Sequence, residues 1–151
     1  MYEYIQFFLP LFFGWFFAQV PKVTVTMIRE HPDSLFQTIM SSGGMPSTHT
    51  ASVMALVTRI AFHESFKGPL FALALVFAVV TMYDAFHVRL ACGHTIERVN
   101  RMAEKLYADD PDKPEPLAES KGHTFPEVAV GFFIGVAVGV VYSLIEAHIM
   151  G

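Results

Sequence analysis

Apolar positions along the chain gather into four blocks, each close to the length of a helix that crosses a bilayer, which needs about 20 largely apolar residues. The first runs from about Tyr4 to Val20 and carries three phenylalanine pairs, Phe7-Phe8, Phe12-Phe13 and Phe16-Phe17. The second opens at Pro46 and reaches about Phe62, with Ser47, Thr48 and His49 in its first turns. The third spans Pro69 to about Val88, and the fourth Pro126 to about Ile149. After the third block, Ile96, Val99, Met102, Ala103 and Leu106 recur at helical spacing, with Glu97, Arg98, Arg101, Glu104 and Lys105 between them. That pattern predicts an amphipathic helix lying on the membrane or on the bundle. The stretch Asp109 to Pro116 is acidic and rich in proline, so a solvated, mobile connector is expected over about 109–118. The expected architecture is all-α: one membrane-embedded domain, 1–151, with about four transmembrane helices and a cytoplasmic amphipathic helix.

Composition narrows the class. Of 151 residues, 53% are hydrophobic and only 16% charged, against roughly 25% charged in soluble domains. A chain this apolar does not stay disordered, and a small soluble domain cannot hide so much apolar surface. A single cysteine, Cys92, excludes a disulfide framework within the chain and any multi-cysteine zinc site. With a net charge of −4 and no basic face, nucleic acid is not an expected partner. The first block lacks a positive leading region and a small-x-small cleavage site, so it reads as mature structure. Lys22, Arg29, Arg89, Arg98, Arg101, Lys105, Lys113 and Lys121 all fall in the two long loops, while Lys67 falls on the other side and Arg59 lies towards it. The excess of positive charge inside then predicts cytoplasmic long loops and both termini outside, in the plasma (inner) membrane.

Three polar constellations stand out. Gly43-Gly44-Met45-Pro46-Ser47-Thr48-His49 opens the second block. Pro46 suits a first helical position, and first-turn N–H groups together with the helix dipole attract phosphate. Equally, the segment reads as an ordinary helix start capped by serine. Gly122-His123-Thr124-Phe125-Pro126-Glu127 opens the fourth block. Glu127 is placed to hold the imidazole of His123, leaving its other nitrogen as nucleophile or base; Thr124-x-x-Glu127 is also a capping box. Lys22, Arg29 and Arg89 supply cations at the same ends of the helices, suited to phosphate or to setting topology. Asp84 lies within an apolar block, where an ionisable group needs a partner. His87 shares its face at i+3, whereas Arg89, five residues on, is expected too far round an α-helix. Gly131, Gly135 and Gly139 form a small-residue stripe for close helix packing, within the chain or in a homo-oligomer. Gly93-His94-Thr95 echoes Gly122-His123-Thr124 and reads as a coincidence at a loop start. The four-block topology gathers every candidate group onto one face of the membrane.

On Gly43-Gly44-Met45-Pro46-Ser47-Thr48-His49, Tyr83-Asp84-Ala85 to Arg89, and Gly122-His123-Thr124-x-Pro126-Glu127, the sequence resembles the divergent branch of the type 2 phosphatidic acid phosphatase superfamily, whose wider relatives include vanadium-dependent haloperoxidases. The parent signatures are Lys-x6-Arg-Pro, Pro-Ser-Gly-His and Ser-Arg-x5-His-x3-Asp. Lys22 and Arg29 keep the first spacing, with Glu30 in place of proline. Pro46-Ser47-Thr48-His49 matches the second with threonine for glycine, and His123-x3-Glu127 the third with glutamate for aspartate. The arginine before the histidine is replaced by Leu117, and Arg89 is the candidate substitute. The resemblance implies that His123 attacks phosphorus, Glu127 orients it and His49 protonates the leaving alcohol. It further implies that Lys22, Arg29, Arg89, Ser47 and the backbone near Gly44 hold the phosphoryl oxygens, with no metal or other cofactor.

The expected function is therefore a membrane lipid phosphate phosphatase whose partners are a lipid phosphate and the bilayer. Two alternatives stand beside it. One is a Mg²⁺-dependent phosphatase using Asp84, Glu97, Asn100 and Glu119 as oxygen ligands. The other is a non-catalytic protein that binds lipid headgroups, transports, or serves as a scaffold.

Overall fold

The computed structural model describes residues 2–30, 39, 43–108, 110–118 and 122–150. Among them the regular elements are helices, with no strand. We number them α1 (Tyr2–Glu30), α2 (Thr48–His63), α3 (Pro69–Tyr83), a π-helical turn (Asp84–Val88), α4 (Arg89–Leu106) and α5 (Phe125–Met150). Three stretches are long and apolar enough to cross a membrane: Ile5–Ile28, Pro69–Leu106 and Phe125–Ile149. This is an all-α membrane protein.

The second predicted block differs from these three. Helix α2 has 16 residues, about 24 Å at 1.5 Å per residue, shorter than the roughly 30 Å hydrocarbon core. It forms the centre of the bundle, with Thr48, Thr50, Thr58 and Arg59 among its buried residues. Its polarity is tolerated because other helices, rather than lipid, surround it. Glycines allow that enclosure. A Cβ at Gly131 would collide with the Ser47 carbonyl and Thr50, at Gly135 with Ala51 and Met54, at Gly139 with Thr58 and Ala55, and at Gly14 of α1 with Ala51 and Ala55. Pairing runs in register from Gly131–Ser47 to Gly139–Thr58, so α5 lies parallel to α2. Gly14 against Ala51 and Gln6 against Arg59 make α1 antiparallel. The Gly131, Gly135 and Gly139 face is thus filled by α2. This corrects its reading as an oligomerisation face, since a second copy would have to displace a helix of the same chain.

The polypeptide does not turn after the third block. Helices α3 and α4 run on through the π turn, and α4 contains no buried residue. Gly93-His94-Thr95 lies inside α4, not at a loop start. The connector is tied back to α4, where Asn100 Nδ2 donates to the Leu117 carbonyl and the Leu117 N–H donates to Asn100 Oδ1, both at 2.9 Å.

Candidate functional site

The site forms where α1, α2, the π turn and α5 meet at one end of the bundle. At the start of α2, Gly43 and Gly44 have φ of +99° and +80°, conformations that glycine reaches without a Cβ clash. Pro46 lies before the helix, behind a cis Met45–Pro46 peptide. The helix itself begins at Thr48 with Ser47 as N-cap. Pro46 is therefore not the first helical residue, because the serine side chain satisfies the first turn. The Thr50 hydroxyl also donates to Ser47 Oγ at 3.0 Å. Ser47 is wholly buried, while His49, two residues on, is exposed at the mouth.

The start of α5 is clamped to two neighbours. The Ser47 N–H donates to the Glu127 carbonyl at 3.0 Å, and the His123 N–H to the Ala85 carbonyl at 3.0 Å. The second bond depends on the π turn. In an α-helix the Arg89 N–H would bond to the Ala85 carbonyl, four residues back. Here it bonds to the Asp84 carbonyl, five back, and the Ala85 carbonyl receives His123 instead. The same wide turn brings side chains five apart onto one face, so Arg89 Nε donates to Asp84 Oδ2 at 2.5 Å. This overturns the expectation that Arg89 lies too far round the helix. The partner of Asp84 is Arg89, while His87 packs against the Tyr83 ring, centroids 4.9 Å apart. Gly122 is needed where the segment passes over α4, because a Cβ there would strike the backbone of Leu90 and Arg89.

Glu127 serves both roles foreseen for it. Its Oε2 accepts from the Thr124 N–H at 3.0 Å, the capping-box bond, and lies 3.3 Å from His123 Nδ1. A carboxylate only accepts, so Nδ1 carries the hydrogen and the other ring nitrogen keeps its lone pair. His123 is buried. Burial is the main cause holding its pKa below the ordinary histidine value. The nearby Lys22 charge acts in the same direction, while Glu127 and a hydrogen bond with the Gly44 backbone act against it. Lys22 is 4% exposed, and its Cε is 3.8 Å from where a Cβ on Gly44 would stand. Lys22, Arg89 and Asp84 all lie within electrostatic reach of His49.

The structure thus brings together Lys22, Gly44, Ser47, His49, Asp84, Arg89, His123 and Glu127. Arg29 stands two turns beyond Lys22 on α1, about 10 Å along the axis, with its side chain outside the described residues. Of the oxygen ligands considered for Mg²⁺, Asp84 pairs with Arg89, Glu97 with Arg101 at 2.9 Å, and Asn100 with the Leu117 backbone. Glu119 lies outside the described residues, as do Ser41, Ser42, Ser120 and Lys121. Among the described residues no group of three or more His, Cys, Asp or Glu side chains is placed to hold a metal ion.

Sequence reasoning passed over a second polar cluster at the far end of α2. There Arg59, 3% exposed, is ion-paired to Glu146 and donates to Gln6 Oε1 at 3.0 Å. Its guanidinium lies 5.7 Å from the ring centroids of both Phe7 and Tyr142. The available signal was an arginine inside an apolar block, with a glutamate near the end of another.

Comparison with known proteins places the chain in a family. Residues 5–138 match the family described as "Divergent PAP2 family". The chain is 34% identical over 145 residues to "Uncharacterized membrane protein YuiD" of Bacillus subtilis (strain 168), covering 87% of each chain. No solved structure matches. With nearly the whole sequence matched and the motif residues gathered at one end of an apolar bundle, the chain belongs to the divergent PAP2 family of membrane proteins.

Proposed function

We propose that the chain is a membrane lipid phosphate phosphatase that hydrolyses a phosphomonoester through a phosphohistidine on His123. The supporting observation is that a buried histidine, held by a carboxylate at 3.3 Å, lies beside a buried lysine, with a second histidine at the mouth. The free nitrogen of His123 attacks phosphorus, the P–O bond to the lipid alcohol breaks, and His49 supplies the proton to the departing oxygen. Water then attacks the phosphohistidine, giving its proton to His49 and releasing inorganic phosphate and free His123. Lys22 and Arg89, with Arg29 and the Ser47 and Gly44 region, stabilise the charge on the phosphoryl oxygens. Phosphatidate, phosphatidylglycerol phosphate and a polyprenyl phosphate are the substrate candidates, because a site at the helix ends lies at headgroup depth. The loop charges support a cytoplasm-facing site in the plasma membrane.

Phosphate release from these three lipids, with and without EDTA, tests the proposal on wild type and His123→Ala. The wild type is expected to turn over at least one lipid regardless of EDTA, and the variant to lose on the order of a thousandfold or more. Equal rates sink the phosphohistidine scheme. Tight binding of lipid phosphate without turnover replaces it with a headgroup-binding protein.

A further inference from the structure

An apolar groove of about 470 Å³ runs along the seam between α1 and α5, lined by Phe13, Phe17, Ala137, Val138, Val141, Tyr142 and Ile145. Both helices are among those long and apolar enough to cross a membrane. Phe17, Val141 and Ile145 are each more than half exposed, so the groove opens onto the surroundings of these helices rather than into the bundle. We infer that this seam seats a hydrocarbon chain of the same lipid whose phosphate is held at Lys22 and His123. This inference rests on the proposed phosphate site.

Three observations support that occupant. The lining offers no charged group, so the ligand part is a hydrocarbon. The two helices forming the groove also carry residues of the polar site, Lys22 about two turns before the end of α1 and Glu127 in the first turn of α5. Phe17 precedes Lys22 by five residues, about 8 Å along the axis, and Ala137 follows Glu127 by ten, about 15 Å. A lipid with its phosphate at the site therefore passes its glycerol before the groove and enters it with the methylenes of an acyl chain, or with the units of an isoprenoid beyond the first. Towards the far end the Tyr142 ring, which lines the groove, lies 5.7 Å from the guanidinium of Arg59, itself paired with Glu146. The groove between Ala137 and Ile145 is about 12 Å long, which suits a middle stretch of the hydrocarbon chain rather than its whole length. Hydrocarbon is no worse off among lipid tails than against protein. The groove therefore orients the chain and adds little affinity.

Because orientation is the effect, the test reads position. Wild-type protein in vesicles of phosphatidylcholine receives a trace of phosphatidate carrying a photoactivatable group on one acyl chain. A second sample receives phosphatidylcholine with the same labelled chain. After irradiation, adducts are mapped by mass spectrometry. The expected result is that phosphatidate labels the groove residues severalfold more than phosphatidylcholine does. Lys22→Met should remove that excess, and Val141→Trp, which fills the groove, should shift the adducts away from it. Circular dichroism and monodisperse elution check that each variant is folded. Equal labelling by the two lipids, or a phosphatidate excess on exposed residues elsewhere such as Leu73 and Phe77, overturns the inference. Phosphate release from the same vesicles keeps the two ideas apart. A groove-specific excess without phosphate release upholds the chain site while the phosphatase reading fails. Release with unselective labelling does the reverse.

Discussion

The two ends of α2 carry the same kinds of residue arranged to opposite effect. At the far end Arg59 is enclosed by Glu146, Gln6, Phe7 and Tyr142, all side chains of α1 and α5. Charge meets charge inside regular helices and is cancelled. At the near end the polar groups sit where helices begin, on a glycine pair at positive φ, a π turn and a capping box. Two cations, two histidines and two carboxylates face one another there, and His49 remains exposed. Buried charge in closed pairs holds a fold together. Buried charge left partly open at helix starts can be spent on a ligand. On the proposed function the far end serves stability and the near end chemistry, and substitutions at each end test that division.

The largest effect on folding is expected at the far end. Arg59→Met leaves the half-buried Glu146 without its counter-charge, a loss of up to about 3–5 kcal/mol. The double variant Arg59→Met, Glu146→Leu removes both charges and should recover most of that stability. Thermal unfolding in detergent reads the difference, and phosphate release per folded molecule should match wild type in the double variant. A stable double variant without activity would show that the far end belongs to the chemistry and end the division of labour.

A smaller effect couples the two ends through packing. Gly131→Val sets a side chain against the Ser47 carbonyl and Thr50, overpacking that costs about 1–3 kcal/mol. Gly139→Val overpacks the same helix pair beside Thr58, away from the site. Both should lower the unfolding temperature, and only the first should also lower turnover, since it pushes on the N-cap of α2. Equal losses of turnover would mean that α2 transmits strain along its whole length.

How much of this was legible in the sequence follows the same division. The three apolar helices were legible because lipid demands long apolar stretches, and Lys22, His49, His123 and Glu127 because their spacing matched a known signature. Helix α2 was harder, because its buried threonines and Arg59 make sense only once its neighbours are known. The π turn was hidden altogether. Asp84 and Arg89 five apart look unrelated at 100° per residue, and only a wider turn makes them partners. The glycine stripe was read correctly as a close approach, but its partner could not be named, since one chain offers no sign of which helix fills it. Arg59 and Glu146 lie 87 positions apart, and no local pattern links two single charges at that separation.

The finest discrimination between the two ends is electrostatic. In the proposed reaction His123 must be neutral to attack, so kcat/KM falls as pH drops through the pKa of its ring. Burial holds that pKa below the ordinary histidine value of about 6.5, and the acid limb is expected below that point. Glu127 favours the charged ring, so Glu127→Gln should move the limb further to acid. Lys22 disfavours the charged ring, so Lys22→Met should move it towards neutral pH. Both variants also lose rate, but the position of the limb is independent of its height. Arg59→Lys, at the far end and still paired with Glu146, presents no net charge to His123, so its limb should stay in place. A limb that moves as far for Arg59→Lys as for Lys22→Met would mean that the field at His123 comes from the bundle as a whole, and the near end would lose its claim to be a separately built site.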